Sequence, residues 1–445
     1  MARGSGISIQ RALRKLFPST WIASEARATG AFQRVRRIEP AAFFWSLVLG
    51  FGAGRTRSLA GLRRSYERAT GHTIEESSFY DRFKPGLVAM LKRATAKALE
   101  QSLGVGRGLR GPLAAFRDVL ITDSTVIRLH EMLAKAFPGC RTNHTKAALK
   151  AHVILSVTGS GRQSVKVTSE RAHDGPVLRV GPWVRDRLFL FDLGYFRYQL
   201  FACIKQNGGY FLTRLKGNAN PTIVAVNRTH RGRAIALVGE KLRDVIGRMD
   251  RETLDVMVEM RFKRRRYGSR ARHDSQTVRV VGVRDPDTKA YHLYVTNAPA
   301  DKLTAEDVQA VYALRWEIEL VFKELKQSYR IDDMPSSKRV VVEALLYAAI
   351  ISLVVSRRLL ALVRAARPDR ADRLPPRRWA AVLQTVLSDL LALVLHPRRE
   401  VKTLSRRVAT VLLHEAVDPN KKRQPLLQAV ESRTHKYRPR AAKAA

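Results

Sequence analysis

Cysteine is nearly missing from this chain: its 445 residues hold only Cys140 and Cys203. Two cysteines exclude a disulfide-stapled scaffold and a cysteine-ligated zinc site, and they suit a reduced, cytoplasmic compartment. Acid is the second scarcity. There are 39 Asp+Glu against 81 Lys+Arg, so the formal net charge is +42 and the isoelectric point is near 11.1. A chain this basic repels itself unless it meets a polyanion. The excess is rich in Arg, whose planar guanidinium matches phosphate, so nucleic acid is the expected partner class. A membrane surface is the alternative, but no basic amphipathic anchor stands out. The N-terminus is basic and lacks a continuous apolar segment of signal-peptide type. The apolar run Val340–Val355 is 16 residues and is interrupted by Glu343 and Ser352. It is short for a membrane span and suits a buried core helix. No HExxH, P-loop or convincing GxGxxG motif occurs.

What is present is an ordinary hydrophobic fraction, 45%, in a chain long enough for about two to four domains. Residues 1–110 read as helical and basic. A helix over Arg57–Thr70, a turn at Gly71 and a second short helix over Glu75–Phe83 are compatible with a helix-turn-helix DNA reader. The Gly-rich stretch 104–112 reads as a linker. In 111–216, Val119–Leu120–Ile121 leads into Asp123 and a polar turn. Further strands are expected at His152–Thr158, Ser164–Ser169, Leu188–Phe191 and Tyr210–Arg214, with a helix over Arg197–Gln206. Asp192 ends the fully apolar fourth strand, where open α/β sheets place their sites. Residues 217–300 turn β-rich, with strands at Thr253–Phe262, Gln276–Val283 and Tyr291–Val295. The first two flank a basic loop with Arg264, Arg265 and Arg266, expected to bind phosphate. Residues 301–337 complete the core. Residues 338–445 form helices near 338–365 and 378–395, then a basic tail from Pro419 expected to be disordered and to touch DNA.

The most informative stretch is Tyr312–Lys326. Val311, Leu314, Ile318, Val321 and Leu325 recur at steps of 3, 4, 3 and 4, an apolar stripe that must face a core. Tyr312, Arg315, Glu319 and Lys326 form a second stripe about 120° round the helix, suited to the rim of a cleft. Thr304 is the expected N-cap and Leu303 with Val308 the staple, so one helix is expected from about Ala305. The bland reading of such a polar stripe is a solvated face.

The spacing Tyr-x2-Arg-x3-Glu-x6-Lys, here Tyr312, Arg315, Glu319 and Lys326, resembles the signature around the last catalytic carboxylate of insertion-sequence-four family DDE transposases. Trp316 and Lys323 also resemble that family, as do Asp123–Ser124–Thr125 and Asp192–Leu193–Gly194–Tyr195. The resemblance covers roughly 115–335. It implies an α/β, ribonuclease-H-like mixed sheet interrupted by a mainly β insertion, with helical N- and C-terminal regions. It implies cut-and-paste transposition by an Asp123–Asp192–Glu319 triad holding Mg²⁺, two ions with Mn²⁺ as a substitute. Asp123 would bridge the ions. Tyr312, Arg315, Lys323 and Lys326 would hold DNA phosphates. The implied partners are double-stranded DNA, as element ends and target, and a second copy in an active homodimer at the nucleoid. Asp118, Asp174, Asp186, Glu317 and Glu324 compete for the carboxylate roles. Asp118 and Asp186 precede their strands, Glu317 and Glu324 lie off the polar stripe, and Asp174 remains as a helper or a cap. The family's insertion carries a base-capturing Trp; this insertion has none, and Tyr291 or Tyr294 would have to stack a base instead. A metal-dependent nuclease without strand transfer, and a non-catalytic basic DNA-binding protein, remain open at this level.

Overall fold

The computed structural model describes residues 9–33, 37–101, 108–140, 145–159, 162–230, 233–263, 273–396, 402–420 and 425–433. The expected loop arginines Arg264, Arg265 and Arg266 and the last twelve residues lie outside them.

The N-terminal helices are α1 (Ile9–Leu16), α2 (Ser19–Ala28), α3 (Pro40–Ser46), α4 (Leu59–Thr70), α5 (Glu76–Tyr80) and α6 (Pro85–Gln101). A π-helical turn, Leu47–Gly52, continues α3. Ser58 caps α4, its hydroxyl accepting from the Gly61 N–H, and Gly71 ends it at φ +74°, a left-handed position that suits glycine. The second helix of the expected reader, α5, is only five residues long.

The central strands are β1 (Asp118–Arg128), β2 (Ala148–Ser156), β3 (Ser164–Ser169), β4 (Arg187–Phe191) and β5 (Tyr210–Arg214), with the one-turn helix α7 (Asp174–Val177) and helix α8 (Tyr198–Gln206) between them. Their order is β3-β2-β1-β4-β5. β1, β2 and β3 are antiparallel, whereas β4 and β5 run parallel to β1. This is the ribonuclease-H-like arrangement that the resemblance implied.

After β5 come β6 (Thr222–Val226), a small hairpin of β7 (Thr229–His230) and β8 (Arg233–Ala234), α9 (Leu242–Arg248), β9 (Thr253–Lys263), β10 (His273–Arg284) and β11 (Tyr291–Thr296). Apart from the two-stranded β7–β8 hairpin, the inserted strands do not form a sheet of their own. β11 pairs antiparallel with β5, and β10, β9 and β6 follow, so one nine-stranded sheet runs through core and insertion. The reason is an open edge: β5 offers unpaired backbone groups that β11 satisfies.

Helices α10 (Ala305–Ala313), α11 (Trp316–Gln327), α12 (Arg339–Ala366), α13 (Pro376–Thr385), α14 (Leu387–Leu395), α15 (Lys402–His414) and α16 (Leu426–Glu431) complete the chain. The expected single helix through the signature is therefore two. At the joint, Leu314, Arg315, Glu317 and Ile318 bond three residues back rather than four, a local 3₁₀ tightening. Thr304 starts α10 as expected, but its hydroxyl donates to the Asp307 side chain at 2.7 Å instead of capping the backbone. α12 is a core helix, with 78% of its most apolar window buried. The tail expected to be disordered holds α16, and Arg433 beyond it pairs with Asp307 at 3.1 Å.

One continuous core joins the N-terminal helices, α12 to α15 and one face of the sheet, including Val119, Ile121, Leu188 and Leu190. Leu120, Phe189 and Phe191 face the other way, against α8 and the inserted strands. The helical ends of the chain are thus packed onto the sheet, not strung beside it.

One buried ion pair ties the insertion to the signature segment. Arg279 on β10 is 2% exposed and grips Asp255 on β9 at 2.8 and 2.6 Å. Its remaining Nη1 donates to the carbonyls of Ala298 and Leu303, at 3.1 and 2.6 Å, just before α10. Asp255→Ala would strand a buried guanidinium and should cost about 3–5 kcal/mol in a urea denaturation. Glu259→Ala, which breaks the exposed Arg261 pair on the same strand, should leave the midpoint unchanged. Equal effects would mean that Arg279 is not the anchor.

Candidate active site

Register decides where the two aspartates stand. β1 and β4 are parallel neighbours, with Thr122 opposite Phe191. One residue further, Asp123 on β1 comes level with Asp192, the first residue after β4. Alternation then sets the face: Asp123 follows Val119 and Ile121, and Asp192 follows Leu188 and Leu190, all on the side of the helical core. Asp123 does not end its strand, as the sequence suggested. β1 continues to Arg128 because β2 keeps pairing with it, Asp123 opposite Val153, after β4 has stopped.

α11 lies against this face of β1. From the joint between α10 and α11, Arg315 donates through Nη1 to Asp123 Oδ2 at 3.3 Å and through Nη2 to Glu319 Oε1, one turn on. The guanidinium thus bridges the first and third expected carboxylates. Burial pushes the Asp123 carboxyl up to about 6; the Ser124 N–H and Arg315 oppose the rise, while the negative charges of Asp192 and Glu319 add to it. Burial opposes the charge on Arg315, yet the Glu319 hydrogen bond, with the nearby charges of Glu319 and Asp192, holds its pKa above the ordinary value. Asp123, Asp192, Glu319 and Arg315 therefore share one electrostatic neighbourhood.

The donor set fits a hard divalent cation, which takes carboxylate oxygens and needs no thiolate or imidazole. As the side chains stand, no three acidic, histidine or cysteine groups among the described residues are gathered closely enough to hold one ion. Arg315 spans Asp123 and Glu319 instead.

The other signature residues divide. Lys323 is exposed on α11. Lys326 turns inward, its Nζ donating to the Val126 carbonyl at 2.8 Å, and so pins the far end of β1. Tyr312 corrects the expectation of a phosphate contact. It is 9% exposed, packs at 5.3 Å on the buried Tyr294, and points its hydroxyl at the Phe191 carbonyl, 3.5 Å away. Burial first of all raises its pKa to about 12. Tyr312 thus braces the residue before Asp192, and Tyr294 is too buried to stack a base.

The rival acids find other work. Asp118 is fully buried and accepts from Val119 N, Thr158 N, Thr158 Oγ1 and Ser156 Oγ. Asp186 occupies the turn into β4 at φ +57°. Glu324 pairs with Arg357 of α12, and Glu317 lies in the field of that same arginine. Asp174 sits behind the sheet. It accepts from Ser124 Oγ at 2.9 Å, lies 3.4 Å from Lys150 Nζ and from His152 Nδ1, and leaves little space at Gly194, where a Cβ would come within 3.2 Å of it. Ser124 points to the face opposite Asp123, so Asp174 backs both aspartate segments without joining the carboxylate group. Strand alternation was the signal for this, had Asp123 been placed inside a strand. Arg214, exposed at the end of β5 and close enough to act on Tyr312, was missed.

A model of the transposase DDE domain matches residues 114–355. The chain is 24% identical over 323 residues to the transposase of insertion sequence element IS231F from Bacillus thuringiensis subsp. israelensis, covering 64% of this chain and 65% of that one. It is 22% identical over 330 residues to the transposase of IS1151 from Clostridium perfringens, covering 68% and 69%. The matches thus span about two thirds of these relatives. A solved piggyBac transposase synaptic complex with hairpin DNA aligns over 95% of this chain and 88% of that one, at 10% identity and a TM-score of 0.48, a likeness too loose to carry an argument.

The raised Asp123 carboxyl has a consequence for stability. Its ordinary value is 3.8 and its folded value about 6, so the fold binds this proton more tightly than the open chain does. The contribution is full below about pH 4 and is lost as pH rises through 6, a loss of at most about 3 kcal/mol. Asp123→Asn should therefore be more stable than the parent near pH 8, and the gain should vanish by about pH 4. Denaturation midpoints across that range check it; a gain that persists at pH 4 has another cause.

Proposed function

The chain belongs to the DDE transposase family, and from that premise we propose that it is the transposase of a bacterial insertion sequence. It binds the element's ends and cuts and joins DNA by phosphoryl transfer, with Asp123, Asp192 and Glu319 as the catalytic carboxylates. The observation that supports this reading is the shared face: register and alternation bring Asp123 level with Asp192, and Arg315 links Asp123 to Glu319 of α11.

The three carboxylates would hold divalent ions, Mg²⁺ or Mn²⁺. Such ions activate the attacking oxygen and neutralise the leaving one in an in-line transfer. The protein's own part is placement. Asp123 and Asp192 are carried by buried strands, and Tyr312 braces the end of β4 just before Asp192. Glu319 rides on α11, whose start is set through Arg279 and α10. Arg315, once its carboxylates are otherwise neutralised, turns to a phosphate of the strand being cut, and exposed Lys323 meets another. Water and a DNA 3′-hydroxyl serve as nucleophiles, so no protein nucleophile is required. The active assembly is a homodimer on paired DNA ends.

Asp123→Ala, Asp192→Ala and Glu319→Ala should each abolish cleavage of end-bearing DNA while leaving its binding nearly intact. Cleavage that survives in any of them removes that residue from the triad. Lys323→Ala should flatten the salt dependence of DNA binding by about one phosphate contact. Lys326→Ala should leave that slope unchanged and lower the melting temperature instead, since its ammonium ties down the Val126 carbonyl.

A further inference from the structure

Far along the chain from the carboxylates, the start of α4 meets the start of α14 and leaves a cleft of about 360 Å³. Small-molecule pockets range over about 300–1,000 Å³, so this cleft has room for a ligand group. Its walls carry Arg55, Arg57, Arg64 and Arg68, with the hydroxyls of Ser58, Ser65 and Ser388 between them, and no Asp or Glu lines it.

The nearby carboxylates are engaged elsewhere. Glu67 pairs with Arg63 and accepts from the Ile74 N–H, and Asp389 lies 3.9 Å from Arg407. Asp333 pairs with Arg330 and Arg57. Arg57 is also spent on structure, since it donates to the carbonyls of Phe51, Arg330 and Asp333 and lies over the Phe51 ring. Arg55 donates to Ser388 but keeps its charge exposed. Arg64 and Arg68, one turn apart on α4, are exposed, and among the described residues no carboxylate answers either of them. The helix end is not the attraction, because Ser58 already caps it.

We propose that this cleft and the Arg64–Arg68 face of α4 seat two successive phosphates of duplex DNA, a contact separate from the carboxylate site. An uncompensated arginine group calls for a polyanion with phosphate geometry. A free nucleotide would want a flat apolar or aromatic slot for its base, and no aromatic side chain lines the cleft. Arg64 and Arg68 follow one another along α4 as successive phosphates follow along a strand. The cleft is also tied to the signature segment. Arg57 bonds the carbonyls of Arg330 and Asp333 just after α11, and Gln384 bridges the carbonyls of Ala53 and Ser328 at 3.1 and 2.6 Å. DNA held here is therefore tied by hydrogen bonds to the segment that directly follows α11, the helix that carries Glu319. The inference rests on the proposed function in one respect, that DNA is the substrate.

The test is a salt titration of binding to a fluorescent random-sequence duplex, with inorganic phosphate and ATP as competitors. Arg64→Ala/Arg68→Ala should flatten the slope of log Kd against log salt by about two phosphate contacts, with an unchanged melting temperature. The charge-matched control Lys92→Ala/Arg93→Ala, on α6, should keep the parent slope. An unchanged slope in the cleft variant overturns the proposal, as does an equal loss in the control. Phosphate or ATP binding that the cleft variant loses, with duplex binding untouched, also overturns it and assigns a free-phosphate site. Failure of the parent protein to bind any duplex would instead sink the proposed function itself.

Discussion

Three carboxylates brought to one end of a half-buried sheet repel one another, and Arg315 is what lets them coexist. Its two terminal nitrogens reach Asp123 and Glu319, and the nearby Asp192 helps to hold its charge. Even so, burial leaves Asp123 with its carboxyl raised to about 6. The site is therefore under electrostatic tension that a cation relieves. On the proposed function, a protein carrying a net charge of +42 sets Asp123, Asp192 and Glu319 where a DNA phosphate would react. Anionic DNA and the carboxylates can share that place only with positive charge between them.

The rest of the fold serves this arrangement. Parallel pairing of β1 with β4 makes Asp123 and Asp192 level, and strand alternation turns both toward α11. Buried Arg279 gathers Asp255 and the carbonyls of Ala298 and Leu303, which sets where α10 begins. The 3₁₀ joint after α10 then aims Arg315 and Glu319 at the sheet. Behind the sheet, Asp174 accepts from Ser124 and stands where a Cβ at Gly194 would meet it, so it lies beside the segments bearing both aspartates.

Much of this was legible in the sequence. β3 and β5 have the bounds their patterns gave, Ser164–Ser169 and Tyr210–Arg214, because alternation or an apolar run between turn residues leaves little freedom. Four of the five residues of the signature's apolar stripe are buried as its spacing required, Val311, Leu314 and Ile318 at 0% exposure and Leu325 at 5%, while Val321 is partly buried. What stayed hidden depends on partners distant in sequence. Asp123 was placed at a strand end because a polar stretch follows it; the strand continues because β2 pairs with that stretch. The polar stripe marked Tyr312 and Lys326 as rim residues, yet both reach inward to strand carbonyls that no helical periodicity can reveal. The joint at Leu314 and Arg315 was invisible, since neither residue breaks helices. That most of the inserted strands extend the core sheet was not legible, because strand order is not written in local pattern. Helix α16 lay in a stretch whose composition alone suggested disorder, and its order comes with contacts to distant elements such as the Arg433–Asp307 pair.

On the proposed function, Asp123, Asp192 and Glu319 together make one divalent-cation site. The most direct measurement is a Mn²⁺ titration of the DNA-free protein followed by electron paramagnetic resonance, repeated for an alanine at each of the three positions. The expected result is saturable Mn²⁺ uptake by the parent protein and its loss in all three variants, with the fold intact by circular dichroism. Uptake that is unchanged in the Asp123→Ala protein would contradict it.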